Sequence, residues 1–255
     1  MIRSLYTAVS GMIATENKQN TVVNNMTNAN TIGYKADNLV TKSFDDVLIQ
    51  NQQKTGDSTY KTRKIGKMSL GVAIDGVVTR FDQGDLKQTD IKSNFAINGS
   101  GFFAIQTADG VKYTRDGQFS VNNQGYLVNS SGDFVLGINN NTGALGPINV
   151  GNSDYVLDAN NNIVINGVAT QKIAIADFAD YTQLEKVGDN YYEIDENPTF
   201  IQGDVRQGFL ETSNVNILNE MVDMISVMRN FETNQKFVGM IDETLDKAAN
   251  QIGKV

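Results

Sequence analysis

From Ile217 to the end of the chain every seventh residue is apolar: Ile217, Met224, Phe231, Val238, Leu245 and Ile252. No proline follows Pro198, so nothing in this stretch interrupts a helix. A seven-residue apolar repeat places one stripe along one side of a helix and calls for a partner packed against it. Met221, Met228 and Ala249 are expected at the alternate seam positions, with Gln235 and Asp242 interrupting them, while Leu218, Ile225 and Ile241 widen the stripe. Ser213, Asn214 or Asn216 could cap the start. A helix over residues 216–250 is about 50 Å long at the standard rise. That length points to a coiled coil or another assembly helix.

The N-terminus carries a matching pattern. Ile2, Leu5, Val9, Met12, Glu16, Gln19, Val23 and Met26 follow alternating steps of three and four, with two polar breaks. The two helices are expected to pair, and the polar seam positions Gln19, Gln235 and Asp242 would weaken a solitary pair while fixing register in a larger assembly. Neighbouring chains are the obvious source of the missing contact. The first helix runs into NNMTNANTIGYK, residues 24–35. Asn and Thr side chains compete for backbone hydrogen bonds, so this cluster is a natural place for a helix to finish. Gly33 can supply a positive φ, after which the chain leaves in extended form through Tyr34 and Lys35.

Between the helices the punctuation changes to short apolar runs separated by turn residues. FFAIQT-ADG-VKYTR-DG-QFSV-NNQG-YLVN-SSG-DFVLG reads as an antiparallel meander, and IVI-NG-VAT at residues 163–170 as a hairpin with a type I′ turn. Residues 36–93 are mixed: SFDDVLIQNQQ reads as a short helix or an extended arm, and GVAIDGVVTRFDQGDL as paired strands. The polar stretch from Lys54 to Lys67, with Lys61, Arg63 and Lys64, reads as an exposed arm or loop. The expected fold is α+β: long N- and C-terminal helices forming a coiled-coil-like pair, with an inserted, mainly antiparallel β domain. The expected division is a helical part over 1–35 and 211–255, an arm and β connector over 36–93, and a β-rich outer domain over 94–210.

Composition narrows function. The chain has no cysteine and no histidine, which excludes disulfides, thiol nucleophiles and imidazole bases. The net charge of −8 is uneven: residues 94–204 hold thirteen acidic and four basic residues, which argues against nucleic-acid binding there. No apolar run is long enough to span a membrane, and residues 1–15 lack the unbroken apolar stretch of a secretory signal. GSGFFA at 99–104 fits a loose dinucleotide-binding pattern, but a strand follows where a helix is required. Asp158, Asn160 and Asn162 have calcium-loop spacing, yet Ile163 stands where glycine is needed and Ala169 where a bidentate glutamate belongs. No catalytic residue, metal ligand or cofactor is expected.

Three stretches resemble one family. SGMIATENKQNTVVNNMTNANTIGYK is similar to the N-terminal signature of the flagellar axial proteins, which comprise rod, hook and hook-associated proteins; Asn24, Asn25, Asn28, Asn30, Gly33, Tyr34 and Lys35 carry the match. NFAINGSGFFAIQTADGVKYTRDGQFSVNNQGYLVNSSGDFVLG resembles the domain shared by distal rod and hook proteins, and GFLETSNVNILNEMVDMISVMRNFETNQKFV their C-terminal signature. The resemblance implies a non-enzymatic subunit of the basal-body rod, of distal type or its close rod paralogue. Such a subunit would assemble through its terminal helices into an inner tube that transmits torque from motor to hook, with a β-rich domain outside. Its partners would be further copies of itself, adjacent rod and hook subunits and the flagellar export apparatus, without a cleaved signal peptide, membrane insertion or nucleic acid. The expected subunit interface comprises Leu5, Val9, Met12, Val23 and Met26 with Ile217, Met221, Met224, Met228, Phe231, Val238 and Leu245. FDDVLIQ after the GYK motif is similar to the distal form, and the basic arm lies where such proteins carry a stiffening stretch. The competing readings are a β-rich surface adhesin or binding module with helical termini and, third, a carboxylate-dependent hydrolase.

Overall fold

The computed structural model describes residues 2–54, 60–140, 142–151, 153–194 and 198–252, in two compact units. Unit 1 comprises residues 1–26, 37–78 and 217–255, and unit 2 residues 27–36 and 79–216. The breaks differ from the expected boundaries: the expected connector 36–93 is divided, with 37–78 in the helical unit and 79–93 in the β-rich one. The signature segment 27–36 belongs to the β-rich unit, as does the stretch 211–216 that precedes the C-terminal helix.

In unit 1, helix α1 spans Ile2–Thr27 and helix α2 spans Ile217–Lys247. Helix α2 is 31 residues long and is followed by one π turn, Ala248–Ile252. Asn216 directly precedes it. Strand β1 (Asp37–Ser43) pairs with β4 (Val72–Thr79), while β2 (Val47–Lys54) and β3 (Tyr60–Met68) form a separate antiparallel hairpin. The stretch read as a helix or an arm is therefore a strand. A bulge between Ile49 and Gln50 leaves Ile65 without an opposite residue and 64% exposed. The hairpin covers most of the expected basic arm; residues 55–59 of that arm lie outside the described residues. Its base is tied to α1, where the Thr7 hydroxyl donates to the Leu70 carbonyl at 2.8 Å.

Unit 2 begins with β5 (Leu86–Gln88), β6 (Phe95–Asn98), β7 (Phe102–Thr107), β8 (Gly110–Thr114), β9 (Ser120–Val121), β10 (Leu127–Val128) and β11 (Phe134–Asn139). It continues with β12 (Leu145–Pro147), β13 (Tyr155–Leu157), β14 (Asn162–Ile165), β15 (Val168–Ile173) and β16 (Ile175–Asp177). The last strands are β17 (Glu185–Lys186), β18 (Tyr191–Glu193), β19 (Thr199–Ile201), β20 (Asp204–Gln207) and β21 (Phe209–Glu211). The main sheet is antiparallel and runs β13-β14-β15-β11-β7-β8-β18-β17.

The run Phe102-Phe103-Ala104-Ile105 shows why the sheet has two buried faces. Successive side chains alternate, so Phe103 and Ile105 enter one core with Leu127, Val135, Ile163 and Ile175, whereas Phe102 and Ala104 enter another with Tyr113, Leu136, Phe178 and Tyr192. A strand buried on both sides reads as a continuous apolar run rather than an alternation. The Asn-Gly hairpin is present as expected: β14 and β15 are joined by Asn166 (φ 50°) and Gly167 (φ 83°).

Two strand readings need correction. The meander does not continue in order, because β8 pairs with β18 and β11 folds back onto β7. Strands β9 and β10 are only two residues each, too short to hold a central place. Likewise GVAIDGVVTRFDQGDL, read as paired strands, is one strand, β4, up to Thr79 and pairs with β1, while its last residue, Leu86, opens β5, which pairs with β21. The Asp158–Asn162 stretch is a tight turn, with the Asn161 amide donating to the Asp158 carbonyl at 2.9 Å.

Candidate functional site

The signature segment enters unit 2 as follows. After α1 ends, the Thr31 amide donates to the Asn28 carbonyl (3.1 Å), and the Tyr34 amide to the Thr31 carbonyl (3.4 Å). Gly33 then takes φ 66° and lies so close to the 115–116 backbone that a Cβ there would stand 2.5 Å from the Asp116 nitrogen. Its amide donates to the Glu211 carbonyl at 2.8 Å. Gly33, Tyr34, Lys35 and Ala36 are all buried. Of the signature asparagines, Asn24 and Asn30 are exposed and Asn28 half-buried.

Lys35 ends in a buried ion cluster. Its Nζ donates to Glu211 Oε1 at 2.6 Å and to the Asp82 carbonyl at 2.8 Å. Arg115 Nη1 donates to Glu211 Oε2 at 3.2 Å, and the Gly84 amide donates to Glu211 Oε1 at 3.0 Å. The three side chains are 1% (Lys35), 0% (Glu211) and 3% (Arg115) exposed. Burial pulls the Lys35 pKa below the ordinary amine value, and Glu211 opposes that shift by attraction and hydrogen bonding. A buried carboxylate shared by two cations is tolerable only because its oxygens are all engaged. Burial also raises the pKa of the neighbouring Asp116, opposed by the hydrogen bond it accepts from the Gln118 amide.

Asn214 and residues 186–190 complete the enclosure. Asn214 Oδ1 accepts from the Ala36 amide (2.8 Å), while its Nδ2 donates to the Arg80 (2.8 Å) and Asp82 (3.0 Å) carbonyls. Asn190 Nδ2 donates to the Ile32 carbonyl at 2.7 Å. The Lys186 ammonium sits 3.9 Å from the centre of the Tyr34 ring and donates to the Lys35 carbonyl at 3.1 Å.

In unit 1 polar side chains join the two helices. Asn25, 2% exposed, donates to Glu220 Oε1 at 3.3 Å; it also exchanges hydrogen bonds with the Asp37 backbone, both at 2.9 Å. Asn234 fills the space over Gly11, where an added Cβ would stand 3.2 Å from Asn234 Nδ2. Gly11 and Asn25 are fourteen residues apart on α1, and Asn234 and Glu220 fourteen apart on α2, so both contacts share one antiparallel register.

The less exposed residues of α2 and the start of its π turn alternate by four and three: Glu220, Met224, Val227, Phe231, Asn234, Val238, Ile241, Leu245 and Ala248. Expected residues Met224, Phe231, Val238 and Leu245 are in that row, but Met221 and Met228 are not. The alternate column is one residue earlier than expected, at Glu220, Val227, Asn234, Ile241 and Ala248. The physical reason is that two of its members are polar and are placed by Asn25 and Gly11, which residue type alone does not disclose. Leu5, Met12 and Met26 on α1 are half-buried, whereas Val9, Val23, Ile217, Met221 and Met228 are exposed at 37–49%. They share the surface with Tyr6 (68%), Ile13 (50%), Leu218 (73%), Val222 (65%) and Ile225 (53%).

No helix among the described residues is long and apolar enough to cross a membrane, and none of their acidic side chains form a group of three or more able to hold a metal ion.

Comparison with known proteins follows the same landmarks. Residues 5–35, covering α1 and ending on Lys35, match the family described as "Flagella basal body rod protein". Residues 96–178, in the sheet, match "Flagellar hook protein FlgE/F/G D1 domain". Residues 206–252, which contain Glu211 and α2, match "Flagellar basal body rod FlgEFG protein C-terminal". The chain is 34% identical over 266 positions to the flagellar basal-body rod protein FlgG of Buchnera aphidicola from Schizaphis graminum, covering 97% of this chain and 98% of that one. It is 30% identical over 263 positions to the rod protein FlgF of Caulobacter vibrioides and 29% identical over 276 to the hook-basal body complex protein FlhO of Bacillus subtilis, each over the full length of both chains. The ion pair thus joins the first matched region to the last, and with near end-to-end likeness to rod proteins the chain belongs to the flagellar basal-body rod family as a structural subunit.

Proposed function

We propose that the chain is a distal-type rod subunit, which polymerises through α1 and α2 into the tube that carries torque from motor to hook. The carrying observation is a second apolar stripe on each helix. Tyr6, Val9 and Ile13 on α1, and Leu218, Met221, Val222, Ile225 and Met228 on α2, are spaced at threes and fours yet remain exposed in the single chain. A contiguous exposed apolar face on a soluble chain marks an interaction surface. The half-buried row is used within the chain, where it supports a coiled-coil-like pairing of α1 with α2, and this leaves the exposed stripes for further copies and adjacent rod and hook subunits. The relatives named FlgG favour the distal type. The role is mechanical and non-enzymatic, and the subunit reaches the rod through the flagellar export apparatus. The acidic surface of unit 2 stays hydrated in the assembly.

Electron microscopy of purified basal bodies, with a label inserted at the exposed Asn166-Gly167 turn, tests this reading. The label is expected along the distal rod. Basal bodies with label only elsewhere, or none, would contradict it.

A further inference from the structure

We propose that unit 2 contains a preformed receptor for a Gly-Tyr-Lys peptide, filled in this chain by residues 27–36 and able to accept the same segment from a second copy. The receptor is held by bonds that do not involve its occupant. Glu211 is fixed in β21, paired to Leu86 of β5, and its carboxylate is held by the Gly84 amide at 3.0 Å and by Arg115 at 3.2 Å. The Arg115 guanidinium rests over the Phe102 ring, 5.1 Å from its centre. Asn214 is held by the Arg80 and Asp82 carbonyls, and the Thr212 amide by the Asp85 carbonyl at 2.9 Å. Lys186 lies in β17, paired with Tyr192.

Each feature of the peptide meets a dedicated group. The lysine ammonium finds a buried carboxylate and the Asp82 carbonyl; the tyrosine ring finds the Lys186 ammonium; the main chain finds the Glu211 carbonyl, the Asn214 carboxamide and Asn190. Gly33 is required because its φ is positive and the 115–116 backbone leaves no room for a Cβ. The segment also brings its own turn, through the Asn28 and Thr31 carbonyls, which lowers the entropy lost on docking. In one chain the tether gives the resident segment a high effective concentration, so it excludes a free one. A receptor whose own segment is withdrawn leaves Glu211 facing a vacant lysine position, and a neighbour's identical segment fits it.

The test uses the full chain carrying Gly33→Val, which disables the resident segment and leaves every receptor residue in place. A synthetic peptide of residues 27–36, TNANTIGYKA, is titrated by calorimetry into this variant and into the unaltered chain. The peptide is expected to bind the variant and raise its Tm, and not to bind the unaltered chain. A Lys35→Met peptide is expected to bind at least about 100-fold more weakly, because it leaves the carboxylate short of one cation. No binding to the folded variant, equal binding to the unaltered chain, or equal affinity of the Met peptide would each overturn the proposal. If Gly33→Val does not fold alone, refolding with each peptide is read instead. Recovery with the lysine peptide only supports the receptor, and no recovery, or recovery with both peptides, overturns it.

Discussion

Lys35 and Glu211 are 176 positions apart in the chain, yet Lys35 Nζ and Glu211 Oε1 meet at 2.6 Å with both side chains buried. One partner follows the N-terminal helix by eight residues and the other precedes the C-terminal helix by six. The body of the β unit is therefore closed by residues from both ends of the sequence. A segment excised at 36–210 would lack both partners and leave Arg115 buried without its carboxylate.

Breaking this cluster from one side should be costly. Lys35→Met is expected to destabilise the chain by about 3–5 kcal/mol, the usual cost of removing one partner of a buried pair. Glu211→Gln should cost more than Lys35→Met, since it strands two cations, whereas Lys35→Met leaves Glu211 with Arg115 and the Gly84 amide. Urea unfolding of both variants checks the order. Losses below about 1 kcal/mol would mean that the cluster is bypassed by water or relaxation.

The helix contact in unit 1 makes a separate prediction. Gly11→Ala gains about 1 kcal/mol of helix propensity, but its new Cβ presses on Asn234 at 3.2 Å. The single change should be near neutral, and adding Asn234→Ala should release the gain. A double-mutant cycle is expected to show coupling above about 0.5 kcal/mol, as residues in contact do. Strict additivity would show that the two side chains do not meet.

How much of this was legible in the residues depends on whether the signal is local. The Met224, Phe231, Val238 and Leu245 row announces itself by period, and the Asn166-Gly167 turn by its dipeptide. The second helical column did not, because its members Glu220 and Asn234 are polar and apolar Met221 and Met228 stand beside them. Nothing local marks which of the 29 carboxylates Lys35 meets, since that pairing arises from sheet closure. The signature Gly33 was readable as a positive-φ position, but its need to pass beneath the 115–116 backbone was not.

Two tyrosines set the alkaline limit. Burial raises the pKa of Tyr155 to about 12, and burial with the Asp133 carboxylate raises that of Tyr191 to about 12, from 10.0. A group whose folded pKa is raised contributes stability that is present below its unfolded pKa and lost as pH rises through the folded one. Stability from these phenols should therefore persist below pH 10 and fall between 10 and about 12. Ultraviolet titration should show late phenols, Tyr155 and Tyr191 among them, ionising together with unfolding, and Tyr191→Phe should flatten the fall. Ionisation of all the tyrosines near pH 10 in the folded state would contradict this.

Asp116 predicts the opposite end of the scale. Its pKa is raised from 3.8 by burial, so its contribution is present below that value and lost as pH rises through the folded pKa. Asp116→Asn keeps an oxygen for the Gln118 amide and removes the charge. It should raise Tm at neutral pH, with the gain disappearing below pH 3.8. A gain that is independent of pH would point to packing rather than charge.

On the proposed function, the exposed apolar stripes of the terminal helices join subunits. Ile225 is 53% exposed, so Ile225→Asp should leave the single chain folded, with stability changed by no more than about 0.5 kcal/mol. Burying that charge in a subunit contact would be severely unfavourable. The most direct measurement is incorporation of full-length Ile225→Asp into rods in a strain lacking the unaltered protein, read by basal-body isolation and swimming. A folded, exported subunit, rods that stop short and no motility are expected. Complete rods and normal swimming with this variant would contradict it.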